Sequence, residues 1–408
     1  MSLPPSFQTE DAFLVDRPAH DVPRRSYRAL LVGGLVAVLA ILAWSAQPTP
    51  RSAPSTQQQQ QSYQDNLPLL GKNKHSKTKK HDAPPSGLDY CMDGSYSKRT
   101  LQLAYELPFF GLFQDPKGQT KFEASAVTLR DGTAYAVCDS SWALSQFPAT
   151  LTPFAGLQVG DPHRESDDSG YEGLFFDQDS LYVVRESIQQ HGDETYHAVL
   201  EELAVNENND DYTVLETCSS EFTFEGDSKG FEGAVAVHDL EGHLVVLGLC
   251  EGNFCSEKHK DEAGNGKVVA MRKDVEADGN SCIWRTIRVL DVPSSAYFRD
   301  YSDMTLDDAT GKVAVASQEE SQLWVGQLVG RIPSGLWDVD NMYFDTNVGK
   351  VYDFPKNDNC ETIYCNIEGV HWMSENTIMA VSDKMKGKGK QDFRCFDKDQ
   401  HVHVFVIP

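Results

Sequence analysis

The chain has 408 residues, with 61 Asp and Glu against 36 Lys and Arg and a formal net charge of −25. A sequence pI near 4.8 excludes the basic face that nucleic-acid phosphates require. With 40% hydrophobic and 24% charged residues, the chain is too apolar to be wholly disordered.

The charge is split along the chain. Residues 1–84 carry 10 Lys/Arg against 6 Asp/Glu, while residues 85–408 carry 26 against 55 and all nine cysteines. A basic tail therefore precedes an acidic, cysteine-bearing globule large enough to build its own core. Residues 1–28 read as a cytosolic tail. Residues 29–46, ALLVGGLVAVLAILAWSA, contain no charge. Eighteen residues at about 1.5 Å rise give roughly 27 Å, enough to cross a hydrocarbon core. Arg17, Arg24, Arg25 and Arg28 precede the segment and only Arg51 follows closely, which places the N-terminus in the cytosol. The expectation is a retained transmembrane signal anchor in a single-pass type II membrane protein, with its globule lumenal or extracellular. A cleaved signal peptide ending near Ala43-Trp44-Ser45 is the rival, opposed by the long lead and long apolar run. Residues 47–88, with a Gln run and a Lys cluster at 72–80, offer nothing to pack and read as a disordered stalk.

Residues 89–408 hold Cys91, Cys138, Cys218, Cys250, Cys255, Cys282, Cys360, Cys365 and Cys395. Outside the cytosol these favour disulfides. Cys250/Cys255 and Cys360/Cys365 are the natural local pairs, and Cys91/Cys395 could join the domain's ends. Connectivity stays open, and the odd number leaves one thiol over. No Cys-x2-Cys occurs, which disfavours zinc.

The globule repeats itself. Phe122-Glu123-Ala-Ser125, Tyr171-Glu172-Gly, Phe231-Glu232-Gly, Tyr301-Ser302-Asp and Ile367-Glu368-Gly each open an apolar strand. Each then passes through a Gly, Asn or Asp turn into a second strand: AYAVCDS, LYVVRES, LVVLGLCE, VAVASQEE and IMAVSD. These are hairpins. With Glu123, Glu172, Glu232, Ser302 and Glu368 as the register, the spacings are 49, 60, 70 and 66 residues. A ring of such units is an all-β fold, a β-propeller. Five blades are expected, with six as the alternative because the longer intervals could hide one more. The last strand, HVHVFVIP, should join one near residues 101–107 and close the ring.

Innermost strands line a propeller's channel. Glu123, Glu172, Glu232 and Glu368 with Ser302 would then form a ring whose carboxylates repel one another, a place for protons or a cation. Oxygen ligands at flexible spacing favour Ca²⁺. A second acidic set, Asp139, Glu186, Glu251, Glu319 and Asp383, ends the hairpins and should lie at the channel mouth. Alternatively, Glu-Gly recurs because glycine permits close backbone approach and Glu bonds a neighbour's amides.

The pairing of Glu172-Gly-Leu with Val-Arg-Glu186, and of Glu368-Gly-Val with Val-Ser-Asp383, resembles the SdiA-regulated and phytase-like esterase propellers over about residues 120–385. That resemblance implies a bound Ca²⁺. Lys229-Gly-Phe231 and Tyr301-Ser302 are similar to the calcium-activated nucleotidases (soluble apyrases), five-bladed propellers that are often type II membrane proteins. This second resemblance implies Ca²⁺ held through Ser125, Glu232, Ser302 and Glu368.

No Walker A loop is present. His401 and His403 alternate on one strand face and read as a packed pair. His371, three residues after Glu368, should face away from the channel. Residues 161–168 read as a solvated acidic loop, and the basic residues 384–390 could hold phosphate above the channel. Two functions remain open on sequence. One is a Ca²⁺-dependent phosphoester or phosphoanhydride hydrolase acting on a phosphorylated small molecule. The other is a non-catalytic propeller that binds a protein or glycan.

Overall fold

A computed structural model describes residues 98–165, 168–189, 195–206, 210–226, 229–255, 262–275, 281–387 and 393–408. The expected cytosolic tail, the 29–46 anchor and the 47–88 stalk lie outside the described residues. Among the described residues no helix is long and apolar enough to cross a membrane.

Strand β1 (Gln102–Pro108) stands apart from its sequence neighbours. Four-stranded antiparallel meanders follow. The first comprises β2 (Ala124–Arg130), β3 (Thr133–Cys138), β4 (Ser141–Pro148) and β5 (Leu157–Val159). The second comprises β6 (Tyr171–Asp177), β7 (Ser180–Gln189), β8 (Tyr196–Asn206) and β9 (Asp211–Phe224). The third comprises β10 (Phe231–His238), β11 (Leu244–Cys250), β12 (Lys267–Val275) and β13 (Cys282–Asp291). The fourth comprises β14 (Asp303–Asp307), β15 (Lys312–Ser317), β16 (Gln322–Val329) and β17 (Tyr343–Asp353). The last has β18 (Ile367–Ser374), β19 (Thr377–Ser382) and β20 (His401–Val406), and β1 completes it by pairing antiparallel with β20. The C-terminal strand thus joins the first strand, as the sequence suggests. Turn chemistry sets the hairpins. Asp131 (φ 51°) and Gly132 (φ 79°) give the doubly left-handed two-residue turn between β2 and β3 that matches strand twist.

The first strands of successive meanders touch in the order β2, β6, β10, β14, β18 and back to β2. All five line one cavity of about 170 Å³. This is a β-propeller ring around a channel. Each meander is sandwiched between two others, so its strands are apolar on both faces. On β15, Val313 and Val315 pack toward the third meander while Ala314 and Ala316 pack toward the last. One apolar cluster fills each junction between neighbouring meanders. Trp284, Trp324 and Trp337 are fully buried within these layers. Aromatic burial of this kind contributes about 1.5–3 kcal/mol per side chain.

Disulfides join Cys218–Cys282, Cys250–Cys255 and Cys365–Cys395. The Cys250/Cys255 expectation is met. Cys365 pairs with Cys395, which overturns both Cys360/Cys365 and Cys91/Cys395. The chain folds the segment after β19 back over the entry to β18, a proximity invisible in the spacing. Cys218–Cys282 links β9 to β13, which also pair in parallel at Ile283↔Ser219. Cys138 is the free thiol among the described residues and is buried.

Candidate metal centre at the channel mouth

Each inner strand begins with a break in register. The pairing skips one residue between Ala124 and Ala126, Tyr171 and Gly173, Phe231 and Gly233, and Ile367 and Gly369. The bulged residues are Ser125, Glu172, Glu232 and Glu368. In the fourth meander Ser302 takes the same place, just before β14, with its N–H donating to Ala316 O at 3.0 Å. A bulge re-aims a side chain without breaking the strand. Five oxygen-bearing side chains therefore share one height around the channel.

This register corrects the repeat alignment: Ser125, not Glu123, matches the other four. Glu123 stands two residues earlier. Its carbonyl accepts Asp139 N–H at 3.1 Å, as those of Gly170, Gly230 and Asn366 accept the N–H groups of Glu186, Glu251 and Asp383. In the fourth meander the residue at that height is Asp300, whose carboxylate accepts Gln318 N–H at 2.9 Å. Gln318 therefore occupies the rim position that the sequence assigns to Glu319. A compensation emerges. Where the bulge residue is serine, the residue two before it is an acid (Glu123-Ala-Ser125, Asp300-Tyr-Ser302). Where it is glutamate, that residue is Gly or Asn (Gly170, Gly230, Asn366). Every meander supplies one carboxylate, at one of two heights.

The glycines after Glu232 and Glu368 have a steric reason. A Cβ on Gly233 would collide with Asp303 and come within 2.7 Å of Met304 N, and one on Gly369 would come within 2.7 Å of Ala126 Cα. Inner strands approach too closely there for a side chain. Asp303 replaces glycine in the fourth meander and uses that proximity. Its carboxylate accepts Val370 N–H at 2.6 Å and Met304 N–H at 2.7 Å, stitching β14 to β18.

The ring is short of partners. Ser125 is 2% exposed, and its hydroxyl oxygen has no hydrogen-bond partner. Ser302 Oγ donates to Ile367 O at 2.9 Å, leaving its lone pairs free. Glu172 is 7% exposed. Burial pushes the Glu172 carboxyl well above the usual range, and the charges of Glu232, Glu368, Asp139 and Glu186 add to this. Enclosure raises Glu232, reinforced by Glu251 and Glu186 and opposed by Lys386 and Lys229. Enclosure raises Glu368 in the same way, reinforced by Asp383. At the rim, burial with Glu123 lifts Asp139 to about 6, and burial with Asp139 lifts Asp383 to about 7. Asp139 Oδ1 and Glu251 Oε2 are also buried without a partner.

A cavity of about 300 Å³ opens beside the ring, lined by Glu232, Ser302 and Glu368 together with Lys229, Arg299 and Lys386. Phe254 forms part of its wall, carried on the short loop that the Cys250–Cys255 bond closes. Lys229 Nζ lies 2.8 Å from Glu251 Oε1, and Arg299 Nε 3.2 Å from Glu320 Oε1.

An oxygen-only donor set of carboxylates and hydroxyls suits a hard cation such as Ca²⁺ better than a transition metal. The unpartnered Ser125 oxygen and the mutually repelling carboxylates fit such an ion. Closer triplets of ligand atoms, within 4.8 Å of one another, occur at Glu216–Cys218–Cys282 and Asp239–Glu241–His243. The first is committed to a disulfide. The second is a turn in which Asp239 already bonds Arg272 at 3.1 Å and the His243 N–H at 2.9 Å.

His371 corrects another expectation. It lines the channel cavity because the bulge at Glu368 reverses the alternation of β18. His403 is buried as expected. Its Nδ1 lies 3.0 Å from Glu106 Oε2, and its Nε2 lies 3.2 Å from Ser382 Oγ. Sequence reasoning missed Asp300, Asp303, Gln318 and Arg299. The acid-x-Ser pattern could have revealed Asp300.

No protein-family description matches the chain, and no curated protein matches it. Solved structures similar to it include a GH43_1 enzyme from Xanthomonas citri, at 8% identity and TM-score 0.39, covering 74% of this chain and 90% of that one. The calcium-binding protein regucalcin from Agrobacterium tumefaciens matches at 10% identity and TM-score 0.35, covering 75% and 94%. The RRP9 WD40 repeats match at 10% identity and TM-score 0.37, covering 75% and 99%. None of these likenesses carries a functional argument.

Proposed function

We propose that the chain is a membrane-anchored, five-bladed β-propeller that holds Ca²⁺ in its channel and hydrolyses phosphoesters or phosphoanhydrides. The observation that carries the reading is the bulge ring: Ser125, Glu172, Glu232, Ser302 and Glu368 at one register position, with a buried serine oxygen unpartnered. Glu123 lies at the second height, the position that Asp300 takes in the fourth meander, as an outer contributor of charge. Residues 29–46 would anchor the propeller outside the cytosol, where its disulfides are stable.

Bound Ca²⁺ would supply Lewis acidity toward a phosphoryl oxygen. The chain's own residues do the rest. Lys229, Arg299 and Lys386 present positive charge to an anionic substrate beside an acidic ring that would otherwise repel it. The alternative of a non-catalytic protein- or glycan-binding propeller has no comparable feature in its favour.

The test is melting of the purified chain in EDTA and in millimolar Ca²⁺, beside Glu232→Gln and Glu368→Gln. Saturation at 100 times Kd adds about 2.7 kcal/mol. A Ca²⁺-specific rise that both substitutions abolish supports the centre, and phosphate release from nucleotides and phosphoesters then tests the reaction. Binding without any phosphate release would favour the non-catalytic propeller. No Ca²⁺ shift in the parent chain would remove the centre.

A further inference from the structure

We propose that Lys386 is a tethered cation that competes with the divalent ion for the channel carboxylates, and so sets how much Ca²⁺ the site requires. The inference rests on the Ca²⁺ reading of the ring.

Three cationic side chains line the cavity, and their commitments differ. Lys229 is held by Glu251 at 2.8 Å and lies 4.3 Å from the centre of the Phe254 ring. Arg299 is held by Glu320 at 3.2 Å and donates toward Glu319 at 3.8 Å. Both answer to rim residues. Lys386 alone of the three reaches a member of the bulge ring: its Nζ is 3.9 Å from Glu368 Oε1 and 3.2 Å from Gln318 Oε1. Gln318 Nε2 in turn donates to Glu368 Oε1. The ammonium and the amide thus cap the Glu368 carboxylate from the channel mouth. The charges of Glu368, Asp383, Glu232 and Asp300 all act on Lys386.

The contact is close enough to be felt and loose enough to open. At 3.9 Å the Lys386–Glu368 pair lacks a tight hydrogen bond, and the Lys386 side chain is 51% exposed against 14% for Glu368. A lysine on a flexible stem can swing into water at little structural expense. A divalent ion that takes Glu368 must either displace the ammonium or bind beside a like charge. Both outcomes oppose binding, and reciprocal coupling between two cations on one carboxylate weakens each. The arrangement gives the empty ring a partial counter-charge and raises the Ca²⁺ concentration at which the ring fills.

The test is calorimetric titration of the full chain with CaCl₂, which reads affinity without any turnover. Lys386→Gln should bind Ca²⁺ about tenfold more tightly than the parent, within the usual range of coupling between sites. Lys386→Met should do the same, a second removal of the charge. Lys386→Arg should match the parent because the charge remains. Lys384→Gln, two residues away, should change affinity by less than about twofold, which measures the generic effect of removing one surface charge. The exposed side chain makes loss of folding unexpected, and far-ultraviolet circular dichroism in EDTA checks it. Affinity unchanged or weakened in both Lys386→Gln and Lys386→Met overturns the competition while leaving the Ca²⁺ centre intact. A parent chain that binds no Ca²⁺ overturns the centre and this inference together.

Discussion

Without a divalent ion the channel should destabilise the fold as pH rises through neutrality. Glu172, Glu232 and Glu368 hold their protons well above the usual carboxylate range, and Asp383 does so to about 7. Their folded values exceed their unfolded ones, so the folded chain binds protons that the unfolded chain has released. Stability from such groups is complete below about pH 4 and is lost as pH climbs through the folded values. Two histidines act in the opposite sense. Burial holds His371 and His403 near 4, so they add stability as pH rises from about 4 to about 6.5 and are silent above that. The clean window is therefore pH 6.5 to 8. Each extra proton held by the folded chain lowers stability by about 1.4 kcal/mol per pH unit. Two such protons over this window amount to about 4 kcal/mol, or a fall of about 6 °C in melting temperature for a domain of this size. Differential scanning fluorimetry in EDTA across the window measures the slope directly. Glu172→Gln should raise the melting temperature at pH 8 and flatten the slope, and Ca²⁺ should flatten it in the parent chain. A melting temperature in EDTA that is level or rising from pH 6.5 to 8 would refute the picture of a proton-holding carboxylate ring.

Gly233→Ala should lower stability by about 2 kcal/mol or more, because the new Cβ meets the Asp303 carboxylate and the β14 backbone, whereas Gly173→Ala, with its nearest contacts at 3.4 Å, should stay within about 1 kcal/mol in urea unfolding. Glu106 on β1 binds His403 on β20 and Lys398 in the turn before it. Although burial pushes its carboxyl up, those two hydrogen bonds bring it down to about 2. Glu106→Gln should therefore cost about 2 kcal/mol at pH 7, and the deficit should shrink as pH falls toward 2. Removing Cys218–Cys282, whose ends are 64 positions apart in sequence, should cost about 4 kcal/mol by chain entropy. Removing Cys250–Cys255, separated by five, should cost about 2 kcal/mol but should weaken Ca²⁺ binding measured by calorimetry, because its loop carries Glu251 and Phe254.

The repeat was legible because every meander solves the same problem. Each needs two hairpins with apolar residues on both faces, and Val-, Leu- and Ala-rich strands separated by Asp-Gly and Asn turns record that need in the chain itself. The same regularity brought Glu172, Glu232, Ser302 and Glu368 to notice as one set. The return of the C-terminal strand to the first strand followed from counting units around the ring.

Tertiary structure alone decided the rest. Glu123 and Ser125 compete for the ring position within three residues, and only the strand pairing, with its bulge at 125, chooses between them. The bulge at Glu368 also turns His371 into the channel, which simple alternation along β18 cannot foresee. Cys365 meets Cys395 because the segment after β19 folds back, and spacing carries no record of that path. Lys229, Arg299 and Lys386 come from loops far apart in the chain. They gather over one acidic mouth because ring closure sets every meander's rim at the same height. Local pattern therefore specified the unit, and closure of the ring specified the site. A site built from one residue per unit exists only once the units are arranged around a common axis.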